Sequence, residues 1–428
     1  MKKNKDYKIF IIFALIFLFI LSACGQEMDI SPTLGAIIEE TFGNLNIEPT
    51  NPINEDRYTL IGSFGFYKGS KNMSEIKTIT FSHETPSEYD ECWNANVANT
   101  SHIKGYRIGS DVVIVGDIIY ANKRCSHMFA AFNSYGKPLW SNLVEINGLE
   151  LLDTSYVEDM TMMFSFSKLT ELNGISDWDV SNVKKFSGMF QGNSNKGDVK
   201  FTYLDVSKWD TSSAEDMSHV FYGCALMEEI PIENWDVSNV KTFSHMFADC
   251  YGLKSIDFSK WDTSSAESFD GFLNDCRSLV IVDVSNFNTE KCKQFSQMFE
   301  SCRSLQYIIG LENWDVSNAS VYAFSETFHC CYELKELNLG NWVASPDNTA
   351  RMFKNCYKLE RLDLSGFDMS NTKHDAEMFM NCNSLIEVIR SDKHKGSTNM
   401  YSKIEIRRDG EVICVCAQMN LVFIQMKL

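Results

Sequence analysis

Three sets of side chains recur at fixed intervals, and each belongs to a type that can do chemistry. Cys224, Cys250, Cys276, Cys302, Cys331, Cys356 and Cys382 share one phase of a repeat. Neighbouring units stacked about 5 Å apart would suit disulfides, the first expectation for a cysteine-rich exported chain. An odd number cannot pair completely, however, and each of these cysteines closes an apolar stretch where a small buried side chain fits, so we favour free thiols. Cys414-x-Cys416 offers two thiolates and no further ligands, a poor zinc site. His127, His219 and His245 occupy one slot, but no carboxylate set accompanies them, so we read a half-buried face and expect neither a metal nor a cofactor. Asp179, Asp210, Asp236, Asp262, Asp315 and Asp368 form a third series. Stacked like charges repel, which leaves calcium or nearby backbone donors to compensate them. We favour backbone donors, because Asn288 and Val343 interrupt the series and no loop has a calcium-ligand spacing. No G-x-S-x-G, H-E-x-x-H or P-loop pattern occurs, so no catalytic residue is assigned and the chain is not expected to be an enzyme.

These side chains must be held by a repeat. Trp178, Trp209, Trp235, Trp261, Phe287, Trp314, Trp342 and Phe367 stand 25 to 31 residues apart, with 26 the commonest interval. Within one unit Val240, Phe243, Met246, Phe247 and Cys250 fall at helical spacing. Ser238 stands where an N-cap belongs, Ser212 with Glu215 and Ser264 with Glu267 have capping-box spacing, and Pro346 follows Ser345 as at a first helical position. Leu253-x-x-Ile256-x-Phe258 then alternates like a strand. A short helix and a short strand cannot bury an apolar face alone. The expected fold is therefore α/β, a solenoid of helix-strand units of about 26 residues with a parallel strand ladder.

The ends differ. Lys2, Lys3, Lys5 and Lys8 precede an unbroken apolar run from Ile9 to Leu21, too short to span a bilayer comfortably and suited to a secretory signal. The run ends in Leu21-Ser22-Ala23-Cys24, which resembles the bacterial lipobox; acylation of Cys24 would anchor the chain in membrane lipid. The expected organisation is a signal peptide (1–23), a lipidated acidic tether (24–57), an N-terminal cap or small strand-rich domain (58–122), the repeat solenoid (123–390) and a C-terminal hairpin cap (391–428). Against 57 acidic side chains stand 39 basic ones, a formal charge of −18 that repels nucleic acid and argues against it as a partner.

The Met-Phe-x-x-Cys-x-x-Leu-x-x-Ile pattern with its Trp-Asp-Val-Ser opening resembles the BspA-like surface proteins, a leucine-rich-repeat type, and the related mycoplasma-type surface lipoprotein repeat. The likeness covers residues 120–390, and about nine copies make it specific. It implies a membrane-anchored bacterial lipoprotein at the cell surface, with adhesion or host contact as its activity and an extracellular protein or glycan as its partner. Outward positions of the expected ladder, such as Lys254, Ser255 and Asp257, are the places where a partner would bind. A surface coat with no specific ligand is the alternative, and an enzyme in residues 58–122 a weaker one.

Overall fold

A backbone N–H removed from water needs an acceptor, and where those acceptors lie decides the architecture. The computed structural model describes residues 58–63, 65–192, 199–370, 372–390, 404–408 and 411–416. The chain divides into two units, Met1–Ile53 and Asn54–Leu428. The signal peptide, Cys24 and the tether lie outside the described residues, as do most of the insertion at 195–200 and all of 391–403.

No α-helix occurs among the described residues of 123–390, which corrects the helix-strand expectation. Where a helix was expected over 238–250, alternate N–H groups point to different partners. Met246, Ala248 and Cys250 donate to the carbonyls of Phe243, His245 and Phe247, three residues back, as in successive β-turns. Phe243, His245, Phe247 and Asp249 donate instead to Ser268, Asp270, Phe272 and Asn274 of the following unit, at 2.8–3.0 Å. Left-handed residues at His245 (φ 54°) and Asp249 (φ 61°) join the turns, and the same two slots recur from unit to unit. Asn, Asp and His tolerate that conformation best among residues with a side chain. Gly271 takes the His245 slot one unit later with φ +59°, and a Cβ there would lie 2.6 Å from the His245 ring.

The expected caps are turn residues as well. The N–H groups of Ser212, Ser238 and Ser264 donate to the carboxylates of Asp210, Asp236 and Asp262 at 2.9–3.0 Å. Asp179, Asp315 and Asp368 make the same two-residue turn, and Asn288 continues the series by accepting from the Glu290 N–H at 3.0 Å. Local backbone donors thus engage the aspartate series, with no helix entrance involved.

Units join in register on both sides. Single parallel bridges run Arg124, Asp159, Lys185, Asp216, Thr242, Ser268, Gln294 along the turn side. The strand side is less regular than expected. Strands β1 (Thr78–Ser82), β2 (Glu91–Asn94), β3 (Lys104–Ile108), β4 (Asp111–Val115), β5 (Ile119–Tyr120), β6 (Glu145–Asn147) and β7 (Leu152–Asp153) precede a long stretch whose described residues form no strand. Pairing resumes with β8 (Ile281–Asp283) and β9 (Tyr307–Ile309), then β10 (Glu336–Asn338), β11 (Arg361–Leu364) and β12 (Glu387–Arg390). One sheet has the order β2-β3-β4-β1-β6, so it extends across residue 122. Beyond β12, β13 (Ile404–Arg408) pairs parallel to it, and β14 (Glu411–Cys416) pairs antiparallel to β13.

The core is a set of stacked side chains, one per unit. Trp209 and Trp235 lie 6.1 Å apart at 6°, and Trp314 and Trp342 5.7 Å apart at 4°. Phe299, Phe328, Phe353 and Phe379 stack at 5.6–5.7 Å. Each indole N–H also reaches back one unit: Trp235 donates to Val206 O at 2.9 Å and Trp342 to Leu311 O at 2.8 Å. Thr211 and Thr289 do the same in the forward direction, to Asp236 O and Asp315 O at 2.8 Å. The eleven cysteines between Cys92 and Cys382 are free, and the seven in phase are buried. Their thiols donate to carbonyls of the preceding unit, from Cys250 to Phe221 O at 3.2 Å through Cys382 to Phe353 O at 3.0 Å. Burial pushes the Cys250 and Cys276 thiols well up, and that of Cys382 up to about 12.

Replacing Trp235 by Phe keeps the stack, as Phe287 does naturally between Trp261 and Trp314, but removes the shorter of the two hydrogen bonds to the Val206 carbonyl, which then keeps only the Trp209 N–H at 3.3 Å. The expected cost is about 0.5–1.5 kcal/mol, the net contribution of one hydrogen bond. A denaturant titration of Trp235→Phe checks it; an unchanged midpoint would show that the indole bond contributes nothing.

Candidate interaction surface

Strand alternation sends every second side chain away from the core. In β8 to β12 the inward residues Val282, Leu337, Leu362 and Val388 are buried. The outward residues form two rows fixed by register. One holds Ile281 opposite Tyr307, and Glu336, Arg361 and Glu387 in line; the other holds Asp283 opposite Ile309, and Asn338, Asp363 and Ile389 in line. Ile281 (51% exposed), Ile309 (48%) and Tyr307 (41%) are large apolar groups left in water on one face.

Along these rows lies a shallow trough of about 390 Å³ whose apolar lining includes Tyr307, Ile308, Ile309, Leu337 and Ile389. Glu312, Glu336, Asp363 and Glu387 line it, with Arg361 among them, so carboxylates outnumber cations. Its neighbourhood is therefore apolar and acidic together. A second depression, of about 470 Å³, is lined by Thr202, Tyr203, Leu226, Glu228, Glu229, Lys254 and Ser255. Its Tyr203 and Leu226 are each 52% exposed.

Lys254 and Ser255, expected from the sequence to face a partner, are thus exposed and share that second depression. The Lys254 ammonium holds Glu228 at 2.7 Å. Asp257 is exposed too, but it is not brought into the depression. It accepts the Ser259 N–H at 2.8 Å, and the Ser259 side chain, together with that N–H, holds its carboxyl below the usual range. Residues 253–258 carry no strand. The apolar row at Ile281, Tyr307 and Ile309 was missed by sequence reasoning, although three bulky apolar residues at alternating outward positions were a readable sign.

On the opposite, turn side lies a polar column. His219 and His245 stack their rings 5.1 Å apart at 5°, and burial with the neighbouring His245 charge pushes the His219 imidazole down. Four units are tied together further along. Glu300 accepts from Asn274 Nδ2 at 2.9 Å and meets His329 Nδ1 at 3.0 Å. Glu326 accepts from Gln297 Nε2 at 2.8 Å and pairs with Arg351 at 2.8 Å. Glu300, Glu326 and His329 are the group among the described residues whose ligand-type atoms lie within 4.8 Å of one another. Those oxygens are already engaged by protein donors, so the arrangement is an ion-pair network in its own right. Burial alone would lower the His329 imidazole, but its hydrogen bonds to Cys330 and Glu300 outweigh that and carry it up to about 9.

A histidine raised in the folded state stabilises the fold fully below its unfolded pKa, about 6.5, and loses that contribution as pH rises through about 9. The stability gap between the natural chain and His329→Gln should therefore be widest at pH 6 and shrink steadily toward pH 9.5. Denaturant titrations at several pH values check this, and a constant gap would contradict it.

A family described as "Mycoplasma protein of unknown function, DUF285" matches residues 123–227, 195–310 and 306–408 in three tandem copies. No curated protein matches the chain. A solved structure titled "Crystal structure of TLR13-ssRNA13 complex" is similar at 13% identity with a TM-score of 0.24, over 69% of this chain and 44% of that one. The chain thus spans less than half of that structure's length. Among the described residues no helix is long and apolar enough to cross a membrane.

Proposed function

This chain belongs to the DUF285 family of Mycoplasma proteins, and on that premise we propose that it is a surface lipoprotein, anchored through acylated Cys24, that binds an extracellular protein. In this proposal its stacked units form a leucine-rich-repeat-like solenoid of the BspA-like kind, and the outer face of β8 to β12 makes the contact. The observation that carries it is the pairing of exposed Ile281, Tyr307 and Ile309 with the carboxylates of the adjoining trough. Such a surface favours a broad, shallow contact with apolar and basic side chains of another protein, since desolvated aliphatic stems and a facing Lys or Arg would satisfy both features. The same carboxylates disfavour phosphate, which argues against nucleic acid here. Lys254 and Ser255 extend the proposed surface at the second depression, with Asp257 at its margin. The strands of 58–122 are proposed as structural support for the array, with no catalytic role.

Binding by purified residues 58–428 to cells or matrix proteins should be saturable and should weaken at least about tenfold, roughly 1.4 kcal/mol, when Ile309→Asp and Tyr307→Ala are combined. Surface plasmon resonance checks this. Unchanged affinity would overturn the assignment of the face, binding only to glycan arrays would replace the protein partner, and micromolar self-association without any ligand would favour a coat. Anchoring has a separate test: Cys24→Ala should shift the protein from the detergent phase to the aqueous phase on fractionation. Continued membrane retention would contradict lipidation at that residue.

A further inference from the structure

The first left-handed slot of the turn side holds one residue per unit, and Gly188, His219, His245 and Gly271 fill it in four successive units. The two imidazoles are therefore neighbours, bounded in the column by glycines. Their rings lie parallel, 5.1 Å apart at 5°, a separation that leaves less than a water's width between the faces. The Tyr222 ring leans on both, at 5.7 Å from His219 and 6.5 Å from His245. On the far side of His245 the Gly271 backbone approaches so closely that a Cβ there would lie 2.6 Å from the ring. Neutral rings gain by stacking in this way. Two imidazolium ions at that separation repel, and no counter-ion fits between them.

We propose that the His219–His245 stack is an acid-sensitive latch, closed while the rings are neutral and opened when both take a proton. Backbone bonds beside it join the two units: His219 N–H to Ser244 O and Phe221 N–H to Met246 O at 2.9 Å, and Gly223 N–H to Ala248 O at 2.8 Å. These are the bonds that opening stretches. On the core side the same two units stay joined by the Trp209–Trp235 stack at 6.1 Å and the Phe221–Phe247 stack at 5.7 Å. The opening is therefore local to the turn side and leaves the core packed.

The groups facing the pair set the direction of its response. Asp216 comes from the His219 unit, but its carboxylate already accepts the Ser218 N–H at 2.9 Å and the Ser218 hydroxyl at 2.6 Å. Tyr222 stays neutral, its phenol pushed up to about 12 by burial and by Asp249. From the preceding unit Ser187 reaches the Ser218 hydroxyl at 2.8 Å and, like Gly188, brings no charge. From the following unit Asp270 stands 3.9 Å from His245 Nδ1, so a proton on His245 has a carboxylate beside it. A proton on His219 meets burial and the His245 charge, and both push that imidazole below its ordinary value. Burial raises the Asp270 carboxyl, so acid withdraws the counter-charge as the rings gain theirs. A histidine lowered in the folded state favours the closed form fully above its unfolded pKa, about 6.5, and that preference is lost as pH falls below it.

The test follows amide exchange by mass spectrometry on the purified full chain at pH 7.5 and pH 5, with each rate corrected for intrinsic exchange. Peptides covering 219–223 should lose protection by at least about tenfold at the lower pH. The matching bonds from Phe295, Gln297 and Phe299 to Ala323, Ser325 and Thr327 serve as the reference, because the nearby His329 imidazole keeps its charge at both values. Their protection should change less than about threefold. His219→Gln and His245→Gln should each remove the acid response, since either leaves one imidazole alone, and glutamine already fills this slot at Gln297. Should a variant fail to fold, the comparison of the two regions in the natural chain decides by itself. Unchanged protection at 219–223, an equal loss in both regions, or an acid response that survives His245→Gln would overturn the proposal.

Discussion

Each unit presents backbone carbonyls along its edge to side-chain donors of the neighbouring unit, and two of them, Val206 O and Phe221 O, also accept the Trp209 and Cys224 N–H groups of their own unit. Trp235 Nε1 closes Val206 O, Thr211 Oγ1 closes Asp236 O, Cys250 Sγ closes Phe221 O, and Asn239 Nδ2 closes Ser212 O. A single unit in isolation would hold these acceptors in water and leave one apolar side uncovered. Placed against its neighbours, it buries that side and fills the acceptors in one step. The donors are of four chemical kinds, which explains why the repeat conserves its pattern of polar types as firmly as its aromatics along this one chain.

The same requirement shapes the turn side. A helix would close its N–H groups internally and leave neighbouring units in contact through side chains alone. Here half the amides of the 243–250 segment serve the next unit and half serve their own turn, so backbone hydrogen bonding also fixes the register. The left-handed residues that this geometry needs are unfavourable one by one, and they persist because bonds on both sides determine them. Column residues such as His245, Glu326 and Cys330 owe their outward placement to those turns.

The unit length, the stacked aromatics, the buried free thiols and the local role of the aspartates were legible in the sequence, because each depends on spacing alone. The helix was not. Val240, Phe243, Met246, Phe247 and Cys250 are three or four residues apart, and successive turns joined by a left-handed residue bring the same positions inward as a helix does. The distinguishing signs were the Asp, Asn, Gly and His residues at the two turn slots, since these types disfavour helix interiors. The strand ladder was overextended for a related reason: alternation at Ile256 and Phe258 fits a strand, yet ladder bonding there is missing, and regular pairing returns only from Ile281. As for the candidate sites, Lys254, Ser255 and Asp257 are exposed. The Ile281, Tyr307 and Ile309 row depends on which strands actually pair, and the network at Glu300, Glu326 and His329 depends on four separate units, so neither could be read from one segment.

The contact face and the polar column draw on opposite sides of one framework. A partner would use the outward rows of the strands, whereas the column residues belong to the turns, so a change at one need not disturb the other. Both rest on units that are interchangeable in register. Excising residues 235–260 removes one unit and should let Trp261 meet Trp209 and Val206 as Trp235 did. Native-state amide exchange on that shortened chain is the most direct measurement. Retained protection throughout the remaining units is the predicted result; loss of protection across the whole array, as in a single cooperative globule that has lost part of its core, would contradict the account.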